Sequence, residues 1–520
     1  MRKLLVTISL AAAGLLPAWG QTNGQSFEDF RAELLKRYDD FRSDVLSNYA
    51  SFLEGVWVEY ESFKGAEKST EPKPKVQPLF DASTTPKAQP VTIPQPEPVK
   101  PDADAVKPAT PPQKKIAPDV KRPDDGFPSV GVPTVNVPVP DKAPVTPSPV
   151  KSQEPSQTMI EYRGMEVMVP QASFSIRRSL SDERDFAAQW RELASDKSIR
   201  DVVNGLHRSA DRLGLNDYLT YDLVSEWVEK MFAGVDESSR LSLVHYIMAN
   251  LGFDVRIARL TSGAPILLIP FDQKIYGRRY MNLNDRRYYI FTGPSNPDLN
   301  GNRIATCDIP STLDAGRPLD LRLSPLTLPY KPHHYEVAHD GITLSGEVNA
   351  NIFPLLHHYP QMPLADYALS TVDPEVRSDV VEQLRRQIGE KGDRESADKL
   401  LALVQSGFEY ATDDEYHGFE KPYFFEEVLF YDKCDCEDRV VFYTYLLWNV
   451  LGLESQLLAY PGHESAAVSL DDGVPGDSYK AGGRTFYISD PTFIGAVTGM
   501  CMPNFRSISP EIDYTYSRKK

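Results

Sequence analysis

The sequence predicts an α+β protein in which a cysteine-bearing helix packs on an antiparallel sheet, and three stretches carry that reading. Lys433-Cys-Asp-Cys-Glu-Asp-Arg-Val-Val-Phe-Tyr-Thr-Tyr-Leu-Leu-Trp-Asn-Val-Leu-Gly452 is a polar loop that enters an apolar, helix-periodic segment and stops at a glycine. Tyr460-Pro-Gly-His-Glu-Ser-Ala-Ala-Val468 and Arg484-Thr-Phe-Tyr-Ile-Ser-Asp-Pro-Thr492 read as strands or strand edges. Each stretch offers one reactive side chain: Cys436, His463 and Asp490.

Cys436 falls at or just before the first helical turn. Unpaired backbone N–H groups and the positive end of the helix dipole favour a thiolate there. Placement alone makes no nucleophile, because buried inert cysteines are common. A Cys, then a His, then an Asp, on helix, strand and strand, supplies a nucleophile, a base and an orienting carboxylate.

These segments resemble the transglutaminase-like superfamily, the papain-type Cys-His-Asp fold. Its marks are a Gly-Asp-Cys-Glu-Asp-like helix start, a His heading a strand and an Asp-Pro-Thr-like strand end. Here they stand as Cys434-Asp-Cys436-Glu-Asp438, Gly462-His463 and Asp490-Pro-Thr492, within roughly residues 396 to 506. The resemblance implies a transglutaminase-like/papain-like core with Cys436 as nucleophile, His463 as general base and Asp490 orienting the imidazole. It implies a cysteine peptidase, amidase or acyltransferase acting on peptide amide bonds, with a protein or peptide substrate. The chain departs from the pattern at Cys434, where the family usually has Gly, and at Glu464, where an aromatic residue is frequent. Both departures bear on the substrate groove and leave the triad intact.

The oxyanion of such a reaction would sit on the Cys436 backbone N–H and one further donor. Tyr410 is a candidate by position, or else a packed aromatic. The acidic, aromatic loop from Tyr410 to Lys433 offers one wall of a groove. Asp435, Glu437 and Asp438 put three carboxylates beside the thiol. In related bacterial cysteine proteinases of this fold such a cluster can bind calcium. A solvated helix N-terminus explains the carboxylates without a metal, so no cofactor is required.

Taken from its start, the chain opens with a signal-peptide pattern over residues 1–20: Arg2 and Lys3, then an apolar run from Leu4 to Leu16. No cysteine stands near the expected cleavage point for a lipid anchor, and nothing later is long and apolar enough for a membrane helix. The expected location is exported, periplasmic or extracellular. A formal charge of −17 makes nucleic acid a poor partner.

Residues 21–64 follow, where Phe27, Phe30, Leu34, Tyr38, Phe41, Val45, Tyr49, Phe52, Val56, Tyr60 and Phe63 recur near a 3.6-residue period. That spacing predicts one long amphipathic helix over 25–64, which packs against the catalytic half, self-associates, or serves as a recognition or envelope-docking arm. Residues 65–157 hold about half of the 43 prolines and few aromatics. This composition predicts a disordered, extended spacer.

From residue 158 the chain becomes globular. Asp236-Glu-Ser-Ser-Arg-Leu-Ser-Leu-Val-His-Tyr-Ile-Met-Ala-Asn-Leu-Gly252 runs in step with Cys436 to Gly452, and an aromatic strand, Arg287-Tyr-Tyr-Ile290, parallels Thr485-Phe-Tyr-Ile488. Residues 158–300 are therefore read as a degenerate copy of the core. Asp236, Gly263 and Thr292 stand for Cys436, His463 and Asp490, and none can do its counterpart's work. Residues 301–372 read as a β-rich connection and 373–520 as the catalytic domain.

Three of the four cysteines, Cys307, Cys434 and Cys501, can be simple small side chains, or Cys434 and Cys501 can form a disulfide. The pairs His333-His334 and His357-His358 each offer one metal ligand at most, because neighbours on a strand point to opposite faces. Two functions fit the whole: an exported thiol enzyme, or a non-catalytic envelope binding protein that uses the fold for recognition.

Overall fold

The computed structural model describes residues 49–65, 92–96, 156–283, 286–307, 316–389, 391–470 and 475–517. The expected signal peptide, most of the expected N-terminal helix and most of the expected spacer lie outside the described residues. The chain is α+β, and none of its described helices is long and apolar enough to cross a membrane.

Two halves follow one plan. A short strand, β1 (Val58–Tyr60), precedes them. The first half opens with the hairpin β2 (Gln157–Tyr162) and β3 (Met165–Pro170), then α1 (Glu183–Ser195), α2 (Lys197–Leu213), α3 (Asp217–Met231) and α4 (Glu237–Asn250). Its strands follow: β4 (Arg256–Leu260), β5 (Pro265–Ile269), β6 (Tyr280–Leu283), β7 (Arg286–Thr292) and β8 (Ile304–Thr306). The second half opens with the hairpin β9 (Pro332–His339) and β10 (Ile342–Asn349), then α5 (Pro374–Ile388), α6 (Asp393–Gly407) and α7 (Cys436–Leu451). Its strands are β11 (Ser455–Tyr460), β12 (His463–Ser469), β13 (Ser478–Ala481), β14 (Arg484–Ile488) and β15 (Glu511–Tyr516).

The opening hairpins match in detail. Both turn through two residues with positive φ, Arg163-Gly164 (48° and 82°) and Asp340-Gly341 (48° and 77°), the mirror-image turn that suits strand twist. The β9–β10 hairpin packs on α5 and α6, so it belongs to the second half and not to a separate connection over 301–372.

The sheets match too. Strand order is β1-β8-β4-β5-β7-β6 in the first and β15-β11-β12-β14-β13 in the second, antiparallel throughout. Arg256 faces Leu268 as Gln456 faces Ala467. Leu268 faces Ile290 as Ala467 faces Ile488, and Tyr280 faces Tyr289 as Ser478 faces Tyr487. Period-two alternation splits each sheet between two cores. Leu457, Ala466, Val468 and Tyr487 join the main core with α7, whereas Leu458, Tyr460, Ala467, Phe486 and Ile488 form a second cluster on the other face.

The N-terminal segment departs from the helix expected over 25–64. Within the described part, helix ends near residue 53, where Gly55 N–H bonds Phe52 O and the Trp57 indole caps Leu53 O at 3.0 Å. The β-branched and aromatic run Val56-Trp57-Val58 then favours a strand. β1 pairs with β8, and three residues later Phe63 exchanges both backbone hydrogen bonds with Tyr280 on the opposite edge (2.7 and 3.1 Å). Residues 58–63 therefore close the first sheet on itself.

A second segment is docked where free spacer was expected. Thr92 bridges Ser478, Ile93 N–H bonds Ser478 O at 2.9 Å, and the Ile93 side chain is 1% exposed in the second cluster. Tyr280 and Ser478 hold the same place in their sheets, so N-terminal segments cover equivalent edges of both halves.

Candidate active site

The site is built at the N-terminus of α7. Asp435 caps the helix and forms a reciprocal capping box with Asp438, and Gly452 ends the helix at φ 70°, a left-handed conformation that costs glycine nothing. Cys436 is thereby fixed as the first helical residue. His463 begins β12 after a two-residue turn through Gly462 (φ 67°), opposite Tyr460. Asp490 follows β14, and its two oxygens divide their work. Oδ1 accepts from the Thr492 N–H (2.9 Å) and hydroxyl (2.7 Å), while Oδ2 meets His463 Nε2 at 2.8 Å. That division explains the Asp-Pro-Thr order, since Thr492 locks the carboxylate that points at the imidazole.

All three side chains are buried. Burial opposes ionisation of Asp490, but the His463 charge and hydrogen bond and the two bonds from Thr492 outweigh it, holding the carboxyl below its ordinary range. The His463 ring lies flat on Phe505, 5.0 Å between centroids at 8°, and its Nδ1 has no hydrogen-bond partner. The Cys436 thiol donates to Glu437 Oε2 at 3.0 Å.

What joins helix to strand end is one face of α7. Cys436, Arg439 and Tyr443, spaced three and four apart, lie along it. The Tyr443 hydroxyl meets Ser489 Oγ at 2.7 Å, one residue before Asp490. The fully buried Arg439 guanidinium donates to Gln405 O (3.1 Å), Phe408 O (2.8 Å) and Pro491 O (3.5 Å), one residue after Asp490. Gln405 Nε2 in turn donates to Asp490 O at 3.0 Å. Arg439 was not singled out from the sequence, since an arginine on an apolar helix face is recognised as central only once its three carbonyl acceptors are placed.

Tyr410 pairs with Cys434 in a two-residue parallel bridge, and its ring centroid lies 5.3 Å from the Arg439 guanidinium. Burial first, then Cys436 and its neighbouring carboxylates, push its hydroxyl pKa up, so Tyr410 remains a neutral donor.

The carboxylates beside the thiol are buried, contrary to the solvated helix end expected. The loop 413–431 folds over them: Tyr423 N–H bonds Asp438 Oδ1 (2.7 Å) and Lys421 N–H bonds Asp413 Oδ2 (2.6 Å). Burial, then Asp413 and Glu437, push the Asp438 carboxyl well above the ordinary range, favouring its protonated form. Asp413, Asp435 and Asp438 bring oxygens within 4.8 Å of one another, as do Asp413, Glu420 and Glu437, an all-oxygen set of the kind hard divalent cations take. Backbone N–H groups already engage Asp413 and Asp438 and account for their positions without an ion.

Other candidates fall elsewhere. All four cysteines are free and buried: Cys434 belongs to the main core and Cys501 to the second cluster, so the expected pair forms no disulfide. His333 packs on Phe430 and His334 pairs with Glu347, on opposite faces of β9. His357 and His358 follow a short helix instead of lying on a strand, and both rings pack on Phe419. His417, not anticipated, stands beside them and hydrogen-bonds Tyr423.

In the first half, Asp236 caps α4 through Ser238, and Thr292 holds the register place of Asp490. The hairpin there is one residue longer. Gly263 lies in its turn, and Ala264, not Gly263, stands opposite Leu260 as His463 stands opposite Tyr460. The three counterpart places are thus held by Asp236, Ala264 and Thr292. No model of a known protein family matches the chain, and no curated protein is significantly similar to it.

Proposed function

We propose that the second half is a thiol enzyme acting on peptide amide bonds, with Cys436 as nucleophile, His463 as general base and Asp490 as its orienting carboxylate. The observation that carries this reading is the buried His463–Asp490 hydrogen bond, which leaves Nδ1 without a hydrogen bond on a strand packed against the helix that begins at Cys436. A base so oriented has one nitrogen fixed and the other available for a proton.

The steps balance on this chain's own groups. Nδ1 takes the thiol proton, and the thiolate attacks the amide carbonyl to form an S–C bond. The oxyanion is met by the Cys436 N–H, with Tyr410 as the neighbouring neutral donor. The imidazolium returns its proton to the leaving amine as the C–N bond breaks. Water then cleaves the thioester to a carboxylic acid, or a second amine takes the acyl group. No cofactor enters. The same reading has the protein exported, on its N-terminal signal pattern, with a protein or peptide substrate.

One observation favours a second reading, a non-catalytic binding scaffold. The Cys436 hydrogen bond goes to Glu437 and not to imidazole. Iodoacetamide alkylation of Cys436 between about pH 4 and 9, in the native chain and in His463→Ala, separates the two. A thiolate present well below the ordinary thiol pKa of about 8.5, and lost with His463, supports the enzyme. A rate that rises only near that pH and ignores His463 supports the scaffold.

A further inference from the structure

Four carboxylates crowd Cys436. Glu437 accepts its thiol hydrogen bond, Asp435 and Asp438 flank it on the same helical turn, and Asp413 joins them from the covering loop, with Glu420 at the edge. Asp438 is held toward its neutral form, but each of the ionised carboxylates opposes a thiolate, and Asp413, Asp435 and Glu437 are buried, where the opposition is poorly screened. Some positive group must offset them if the thiol is to ionise near neutrality. The helix N-terminus supplies part, and His463 supplies charge only once protonated. Lys421, the nearby lysine of the covering loop, is taken up by Glu427.

Arg439 meets the need by position. It sits one helical turn after Cys436, wholly buried, and an arginine in a protein stays charged. Its partners among the described residues are uncharged: the carbonyls of Gln405, Phe408 and Pro491, the Tyr410 ring and the Cys434 thiol, while its Nε has no hydrogen bond. Isolated buried charges are costly, so a guanidinium satisfied by dipoles leaves its net charge to act on the anions around it. The same three bonds fasten the end of α6, the strand start before Tyr410 and the turn after Asp490 to the helix that carries the thiol.

We propose that Arg439 is the positioning residue of this site. It clamps the Asp490–Pro491 turn to the Cys436 helix, and it is the fixed counter-charge that permits Cys436 to ionise among Asp413, Asp435 and Glu437. The inference rests on the thiol-enzyme reading and extends it.

The test separates clamp from charge in the full chain. Arg439→Lys keeps the charge and loses the fork; Arg439→Gln keeps two N–H donors and loses the charge. Alkylation of Cys436 by iodoacetamide is followed from about pH 4 to 9, with the melting temperature of each variant beside it. Both variants are expected to melt lower. The lysine variant is expected to keep the low-pH limb, whereas in the glutamine variant the rate at pH 6 falls at least about tenfold, a shift of one pH unit. A glutamine variant that keeps the parent's limb overturns the proposal, as does a folded lysine variant that loses it. If the glutamine variant does not fold, Arg439→Met, which removes the charge while filling much of the same volume, takes its place on the same criterion. A parent chain without any low-pH limb is a different result, since it removes the thiol-enzyme reading before Arg439 is tested.

Discussion

His463 Nε2 and Asp490 Oδ2 lie 2.8 Å apart with both side chains buried, and the imidazole is held flat against Phe505. Three separate constraints fix that ring: the Asp490 carboxylate, itself locked by Thr492, the stacked phenyl face, and the turn through Gly462. A surface histidine needs none of them.

Asp490→Asn should expose this constraint through pH. The folded Asp490 pKa lies below its unfolded value of about 3.9, so the stability it contributes is present above that value and lost as pH falls through the folded pKa. Thermal melts should show the parent well above the variant at pH 6, with the gap closing below about pH 4. Asp490→Ala, which leaves Nε2 buried without its acceptor, should cost about 3–5 kcal/mol. A constant gap across the whole range would mean that Asp490 is neutral in the folded chain.

His245 predicts a second acid sensitivity in another window, and in the half without the triad. It is buried in α4, hydrogen-bonds Tyr49 at 3.0 Å and packs on Trp190; burial first, then Arg256, lowers its pKa to about 3. Below about 6.5 the unfolded chain takes a proton that the folded chain refuses, so stability declines as pH falls from about 6.5 towards 3. The loss should reach about 2 kcal/mol by pH 5. His245→Phe should flatten that slope, which urea titrations at pH 7, 6 and 5 would read directly.

How much of this was legible in the sequence depends on the range of the interaction. Cys436 at a helix start, Gly452 at its end and the Asp490-Pro-Thr492 turn rest on contacts within a few residues, and the sequence carries them in full. The repeat was legible through its helix and its Leu-Gly ending, but the assignment of Gly263 slipped because the first hairpin turns through one more residue. The aromatic spacing over 54–64 fits a helix as well as it fits an edge strand. What decides is pairing with Thr306 and Tyr280, more than 200 residues away, which no local pattern encodes. Arg439 was invisible for the same reason.

Ile93 offers a test of the docked segment. Its buried side chain shares a cluster with Tyr460 and Phe505, the residue stacked on His463. Ile93→Ala should cost about 2–4 kcal/mol if that cluster melts with the domain. Limited proteolysis should then cut near residue 93 faster in the variant than in the parent. Equal cleavage rates would show that the segment is not held in solution.

Cysteine reactivity is the most direct reading of the site, because the structure separates the thiols by environment. Burial pushes Cys434 up to about 11 and Cys501 up to about 12, in the latter case with Asp490 and Asp477 adding to it. Neither should ionise appreciably at neutral pH, and neither is bridged to the other. Cys436 differs in standing at a helix N-terminus with Arg439 one turn away and a hydrogen-bonded imidazole at the adjoining strand. Iodoacetamide at pH 7, followed by peptide mapping, should therefore mark Cys436 and leave Cys434 and Cys501 unmodified until denaturant is added. Labelling of Cys434 ahead of Cys436 would place the reactive thiol two residues before the helix that begins at Cys436, and the triad assignment would fall with it.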